Sequence, residues 1–262
     1  MSKWQENYTI AVAAADKLIH DFALTKPDHI KLDLIASDRN VFIKEGDVKG
    51  SSARLVCQGD YGLITIDNKI KEEGQKRFAI VHELGHFLLH KKLNHLHQCD
   101  ANMMLNWYKK RKEEPESNAF ASALLMPGQM FSQYCKGSSP SFKKISELAH
   151  IFNTSFTSTA LKHVDCVSFP CVLIVIEDKK VKWFHSNENF HYRIISPGEA
   201  ISKNSCAIDF YENGTIATDP EPVIGSAWLE NWRSGKEILL NEQMRAFPNY
   251  GFVLSLLWPN AY

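Results

Sequence analysis

The chain has 262 residues, of which 44% are hydrophobic and 23% charged, and these proportions are typical of a globular protein with a sizeable core. Thirty basic residues balance thirty acidic ones, so the positive surplus of general nucleic-acid binders is absent and direct nucleic-acid binding is not expected. The six cysteines include no CxxC pair, no segment approaches the roughly 20 apolar residues of a membrane span, and no secretion signal opens the chain. We therefore expect a cytoplasmic protein with reduced thiols and no membrane partner.

The first third of the chain changes from a helical to a strand pattern. Apolar residues at helical spacing predict a helix over residues 4–22 and a second, short helix over 30–36. Three runs rich in β-branched and aromatic residues follow between residues 40 and 66, and turn-prone groups separate them. This pattern predicts a small, largely antiparallel sheet with a hairpin between its last two strands.

The middle of the chain is predicted to be helical. Apolar residues over 72–90 indicate a long, largely buried helix, and a second apolar helix is expected over 115–127, with a proline in its first turn. Two short helices over 141–152 and 155–164 then resemble a helix-turn-helix. A recognition helix needs exposed polar and basic residues, and the second of these helices has few, so we favour a packing role.

The last third returns to strands. Residues 171–184 predict a β-hairpin, and the apolar run 252–258 predicts a central strand. We therefore expect an α+β protein in which residues 1–165 form one domain, including a helix-turn-helix-like subdomain at about 140–165. Residues 166–262 would form a smaller α/β domain.

Residues 82–86 read His-Glu-Leu-Gly-His, an HExxH motif inside the predicted apolar helix. Because residues four apart lie on one helix face, His82 and His86 could bind the same Zn²⁺ ion. Glu83 points aside and could face a metal-bound water, whose pKa zinc lowers toward about 7. Glu83 would take a proton during attack on a peptide carbonyl and return it to the leaving amine.

A third ligand must come from outside the motif. His90 lies about 12 Å along the helix axis from His82, too far for both to bind one ion on an unbroken helix. A carboxylate from the start of the next helix would complete a His2Glu site with an open fourth position. The candidates are Glu113, Glu114 and Glu116.

Glu114 and Asn118 are four residues apart, so both side chains would face the same way. Asn118 could then hydrogen-bond a ligand histidine and hold its ring in place. The ordinary role of an acid at a helix start is to stabilise the helix dipole, and this explanation applies most strongly to Glu113 and Glu116.

The two predicted helices carry a paired sequence pattern. Residues 77–90 contain HELGHFLLH, and residues 114–127 read EPESNAFASALLMP. Together they resemble the ImmA/IrrE family of zinc metallopeptidases, which couples HElGHxxLH to ExxANxFAxxLLMP. Ser117 stands where the family usually has alanine, and the similarity covers roughly residues 5–165.

The resemblance implies a role for each motif residue. His82 and His86 would be zinc ligands, Glu83 the catalytic base and Glu114 the third ligand, with Glu116 as the alternative because the family often has a second acid there. It also implies a zincin-like fold and an endopeptidase that cleaves a transcriptional repressor or anti-repressor, in some members during stress responses. The substrate would be a DNA-binding regulator encoded nearby.

Other functions and roles stay open at this level. A regulatory binding protein with a structural or latent zinc site is the alternative to a peptidase. Residues 166–262 could be a regulatory, GAF-like, substrate-docking or dimerisation domain. Tyr61, Arg54, His150 and His163 are candidates for the group that stabilises the transition state, and the sequence does not choose among them.

Overall fold

The structure, a computed structural model, describes residues 3–90, 97–100, 114–230 and 238–260. These ranges contain helices and two β-sheets, so the predicted α+β class is confirmed. Contacts divide the chain into two compact units, Met1–Tyr134 with Glu147–Thr159 and Cys135–Ser146 with Ala160–Tyr262. The boundary between residues 165 and 166 remains a prediction. No helix within the described ranges has the length and hydropathy that a bilayer span requires.

The sheet of the first unit has four strands: β1 (Val41–Gly46), β2 (Ser51–Gln58), β3 (Tyr61–Asp67) and β4 (His97–Asp100). Their order is β1-β3-β2-β4, with β1 parallel to β3 and the other two pairings antiparallel. Gln58 pairs with Tyr61 where β2 turns into β3. The predicted hairpin and the largely antiparallel sheet are therefore confirmed.

Four helices accompany this sheet: α1 (Lys3–Asp21), α2 (Leu32–Asp38), α3 (Glu73–Leu89) and α4 (Glu114–Leu125). Alternate residues of the two middle strands, among them Leu55 and Ile64, are buried. This alternation arises because successive side chains of a strand point to opposite faces. Helix α3 packs against β2 and β3, and α4 packs against both α3 and α1.

Three shorter helices follow: α5 (Gly128–Cys135), α6 (Phe142–Phe152) and α7 (Phe156–Cys166). The division between the two units passes through these helices. The helix-turn-helix-like pair α6 and α7 was predicted, whereas α5 was not. Thr157, Ser158 and Thr159 in the first turns of α7 are buried. Buried side chains cannot contact base edges, and this supports a packing role for α7.

The sheet of the second unit has five strands: β5 (Val172–Glu177), β6 (Lys180–Ser186), β7 (Glu221–Ile224), β8 (Leu239–Phe247) and β9 (Phe252–Pro259). Their order is β6-β5-β9-β8-β7, so β9 is central, as its apolar run predicts. The β5–β6 hairpin is also confirmed. Asp178 and Lys179 in its turn have φ angles of 51° and 61°, the left-handed conformation that two-residue hairpin turns favour.

The expectation of an α/β fold for this part of the chain is wrong. That class has parallel strands joined by helices, whereas every pairing among β5 to β9 is antiparallel. One short helix, α8 (Ala207–Asn213), lies between β6 and β7 in the sequence. The second unit is therefore α+β, with a core that includes Trp228 and the apolar residues of β5 and β9.

Candidate metal centre

Helix α3 buries polar side chains among its apolar ones. His82 and Glu83 are fully buried and His86 is 2% exposed, in the same turns as buried Val81 and Leu84. Moving a neutral polar group out of water costs on the order of 2–7 kcal/mol unless a hydrogen bond compensates, and a charged group costs more. A bound metal ion can also compensate. Three such residues on one apolar helix therefore need a compensating partner.

The two histidines and one carboxylate from α4 converge on one place. The Nε2 atoms of His82 and His86 are 2.9 Å apart. The Glu114 carboxylate lies 3.2 Å from Nε2 of His82 and 3.7 Å from Nε2 of His86. All three ligand atoms lie within 4.8 Å of one another, so His82, His86 and Glu114 could hold one metal ion.

Asn118 determines which nitrogen of His82 is available. Its Oδ1 lies 2.9 Å from Nδ1 of His82, and both side chains are buried. An amide oxygen only accepts hydrogen bonds, so Nδ1 of His82 must carry the proton and donate it. In the neutral ring the lone pair is then on Nε2, the atom that faces His86 and Glu114. A neutral imidazole held in this tautomer is what a metal ligand requires.

Gly85, between the two histidines, allows α4 to approach α3 closely. A Cβ atom at this position would lie 3.2 Å from Cα of Ser117 and 3.1 Å from the ring of Phe120. Ser117 is itself small and fully buried. The Gly-Ser contact thus sets the helix separation that brings Glu114 to the histidines.

Glu83 follows His82 in the sequence and lies near β2. The pKa of the Cys57 thiol on β2 is raised, first by partial desolvation and then by the negative charge of Glu83. This thiol therefore stays protonated at neutral pH. Its proximity to Glu83 could not be predicted from the sequence, because Cys57 belongs to no motif.

Glu116 contacts a different set of residues from Glu114. Its Oε1 accepts a hydrogen bond of 2.5 Å from Nδ2 of Asn7, and its Oε2 lies 3.6 Å from Nε2 of His90. Glu116 is outside the group of converging donors found among the described residues, and Glu113 lies outside the described residues altogether. His90 ends α3 as its C-terminal cap.

The four candidates for transition-state stabilisation are spread across the fold. Tyr61 is exposed on β3, Arg54 is half-buried on β2, and His150 is exposed near the end of α6. His163 is fully buried on α7, in the part of that helix that belongs to the second unit. The stabilising group stays unassigned.

Comparisons with known proteins bear on the same segment. Residues 36–162 match the family described as the IrrE N-terminal-like domain, Peptidase_M78. The metallopeptidase ImmA of Bacillus subtilis (strain 168) is 32% identical over 113 residues. That alignment covers 42% of this chain and 60% of the relative, so the chain spans about three fifths of the relative's length.

A solved structure titled Mycobacterium tuberculosis transcriptional regulator superposes with a TM-score of 0.59, covering 98% of this chain and 82% of the other. At 13% identity this likeness concerns the fold alone. The matched segment contains both motif helices, with His82, His86 and Glu114. These two matches support the assignment of residues 36–162 to the ImmA/IrrE family.

Proposed function

We propose that this chain is a zinc-dependent endopeptidase that cleaves a specific protein partner. The observation that carries the proposal is the convergence of His82, His86 and Glu114 from two helices, with Glu83 buried in the turn between the two histidines. If these residues had only a structural role, nothing would compensate the cost of clustering three polar groups between two apolar helices.

The donor set fits zinc. Two imidazole nitrogens and one carboxylate oxygen are the protein ligands of many catalytic zinc sites, which keep a fourth position open. A bound zinc ion would polarise a peptide carbonyl and make water a stronger acid. Asn118 supports His82 from behind, through the hydrogen bond to Nδ1.

Glu83 is the proposed general base and acid. As the residue after His82, it is held by the same helix turn but does not belong to the converging ligand set. Its carboxylate takes a proton from the attacking water and delivers it to the nitrogen of the leaving amine. Burial within α3 keeps bulk water from competing for that proton.

The proposed substrate is a DNA-binding regulator, either a repressor or an anti-repressor, encoded near this gene. The family resemblance supports this choice, because the family's members act on such partners, in some cases during stress responses. We further propose a zincin-like fold for residues 1–165, action in the cytoplasm, and a regulatory, GAF-like role for residues 166–262.

The test is cleavage of candidate regulators by the purified, zinc-loaded protein, with and without a chelator. We expect cleavage at a single position that the chelator prevents and that Glu83→Gln abolishes while zinc stays bound. Glu212→Gln, at an exposed position on α8, is the matched control and should cleave normally. Chelator-resistant cleavage, or full activity of the Glu83→Gln protein, would contradict the proposal.

A regulatory binding protein with a structural or latent zinc site is the competing function. Structural zinc sites are usually closed by four protein ligands. If that function is correct, the biological effect survives Glu83→Gln and fails when Glu114 is replaced.

A further inference from the structure

Two cysteines and a histidine form a second cluster of reactive side chains, separate from the candidate metal centre. Cys135 is the last residue of α5, and Cys166 is the last residue of α7. His163 lies one turn before Cys166, so both project from the same side of α7. All three residues belong to the second unit.

Cys135 contacts both of the other side chains. Sγ of Cys135 lies 3.6 Å from Nδ1 of His163, and the Cys135 thiol also hydrogen-bonds the sulfur of Cys166. Cys135 is 3% exposed and His163 is fully buried, whereas Cys166 is partly exposed. One sulfur of the pair is thus accessible to small reagents and the other is enclosed behind it.

We propose that Cys135 and Cys166 are a reversible dithiol–disulfide pair that a hydroperoxide oxidises, with Cys166 reacting first. The proposal is independent of the metal centre, because it uses none of the residues assigned there. Buried cysteines are more often inert apolar side chains, so the cluster must differ from the other cysteines of this chain.

Cys166 does differ from the other cysteines. Its pKa is lowered to about 7, chiefly by the hydrogen bond from Cys135 and also by the charge of Lys162, against the opposing effects of desolvation and Asp165. Burial instead raises the pKa of Cys171 and of Cys206 to about 12. Because the thiolate is the nucleophile, Cys166 is the cysteine of this set that can attack a peroxide at neutral pH.

The other two residues of the cluster, Cys135 and His163, are uncharged before the second step. The pKa of Cys135 is raised, mainly because its thiol donates to Cys166, so its proton is retained until the second step. Burial and the nearby Lys144 lower the pKa of His163 to about 4. Its imidazole is therefore neutral at physiological pH, with Nδ1 3.6 Å from the Cys135 sulfur.

The chemistry balances in two steps. The Cys166 thiolate attacks one oxygen of hydrogen peroxide, the O–O bond breaks, and a proton from solvent converts the departing hydroxide into water, leaving a sulfenic acid. The Cys135 sulfur then attacks the Cys166 sulfur, forming the S–S bond and releasing its proton. The S–O bond breaks and the hydroxyl leaves as water with that proton.

Oxidation would covalently join the ends of α5 and α7 around the segment that contains α6. Such a link removes conformational freedom from the enclosed chain, and a dithiol reductant would restore that freedom. The Cys135–Cys166 disulfide is therefore reversible, unlike oxidation of an isolated cysteine beyond the sulfenic acid.

The test is peptide mapping of the reduced full-length protein after hydrogen peroxide treatment and alkylation of the remaining thiols. We expect a Cys135–Cys166 linked peptide that disappears on reduction and forms again on reoxidation. Cys135→Ser should leave a sulfenic acid on Cys166 that dimedone captures, and Cys166→Ser should give neither product. Cys206→Ser is the matched control and should form the same linked peptide.

Alkylation kinetics of the wild-type protein test the same proposal without any variant. The groups that set the titration of Cys166 are Cys135, Lys162 and Asp165. The alkylation rate of Cys166 should rise through about pH 7. At neutral pH it should exceed the rate of Cys206 by at least roughly tenfold, because only the thiolate reacts. Equal rates for the two cysteines, or a peroxide-induced disulfide between any other pair, would overturn the proposal.

Discussion

Two carboxylates, Glu242 in the second unit and Glu114 in the first, have very different surroundings. Glu242 on β8 is 1% exposed, and Oε1 accepts hydrogen bonds from the hydroxyls of Ser205 and Ser255. Its Oε2 accepts from the backbone nitrogen of Cys206 and from Nε1 of Trp228. The carboxylate thus has four donors from its own unit, as expected of a buried charge that stabilises the fold.

Glu114 on α4 is partly exposed, and its carboxylate oxygens lie 3.2 Å from Nε2 of His82 and 3.7 Å from Nε2 of His86. In the neutral His82 ring, whose Nδ1 donates to Asn118, Nε2 carries the lone pair and faces the Glu114 carboxylate at 3.2 Å. Two facing acceptors repel each other, and either a metal ion between them or a second proton on the ring would relieve that repulsion. Burial of an acid with four donors is explained by the fold, whereas convergence of an acid with two imidazole nitrogens is typical of a metal site.

The largest expected effect concerns Glu83. Replacement by Gln keeps the shape but removes the proton acceptor, and loss of a general base typically costs about 10²–10⁴-fold in rate. We expect kcat to fall by this amount while zinc content, measured by metal analysis of the purified protein, stays at one ion. An unchanged kcat would show that Glu83 is not the base.

The next largest effect concerns Glu242, the buried carboxylate of the second unit. Glu242→Ala leaves buried donors without an acceptor and should lower the free energy of unfolding by about 3 kcal/mol. Denaturant unfolding measures this change, with Glu212→Ala at an exposed site as the control. Zinc affinity should be unaffected; a loss of zinc in the Glu242→Ala protein would mean that the two carboxylates are not independent.

Asn118 tests whether the tautomer of His82 matters. Asn118→Ala removes the acceptor for Nδ1 and should weaken zinc binding by about 10–100-fold, as is typical when a residue that orients a metal ligand is lost. Competition with a chelating dye measures the affinity. Asn213→Ala, at an exposed position in the second unit, should bind zinc like the wild type. If both variants bind equally well, Asn118 does not position the ligand.

The smallest effect concerns the helix contact. Gly85→Ala adds a Cβ atom 3.2 Å from Cα of Ser117, and the resulting overpacking of about 1–3 kcal/mol is partly offset by about 1 kcal/mol of improved helix propensity. We expect a loss of about 1 kcal/mol in unfolding free energy, together with weaker zinc binding. Gly128→Ala, where a Cβ atom would meet nothing within 4 Å, is the matched control. If both variants have the same unfolding free energy and zinc affinity, the close helix contact at Gly85 does not support the metal centre.

The parts of the fold that were predictable have strong local patterns. Helix α3 and strand β9 are long apolar segments, and the β5–β6 hairpin has alternating strands around a short turn. The strand β8 was missed because Glu242 and Gln243 interrupt its apolar pattern. Both side chains are nevertheless buried, with partners from distant parts of the sequence that a local pattern cannot reveal.

Some features of the candidate site could be predicted from the sequence, and others could not. The helical spacing of His82 and His86 predicts that they can bind one metal ion, and their Nε2 atoms lie 2.9 Å apart. The choice between Glu114 and Glu116 depends on how α4 is rotated against α3, which residue spacing alone does not fix. The Cys135–Cys166 pair was not predictable at all, because no spacing rule joins the ends of two helices separated by a third.

The most direct test of the central claim is the structure of the zinc-loaded protein, with the ion located by anomalous diffraction at the zinc edge. The account predicts one zinc ion bound by His82, His86 and Glu114, with no fourth protein ligand and with Glu83 beside the open position. An ion enclosed by four protein side chains, or one bound through Glu116 instead of Glu114, would contradict it.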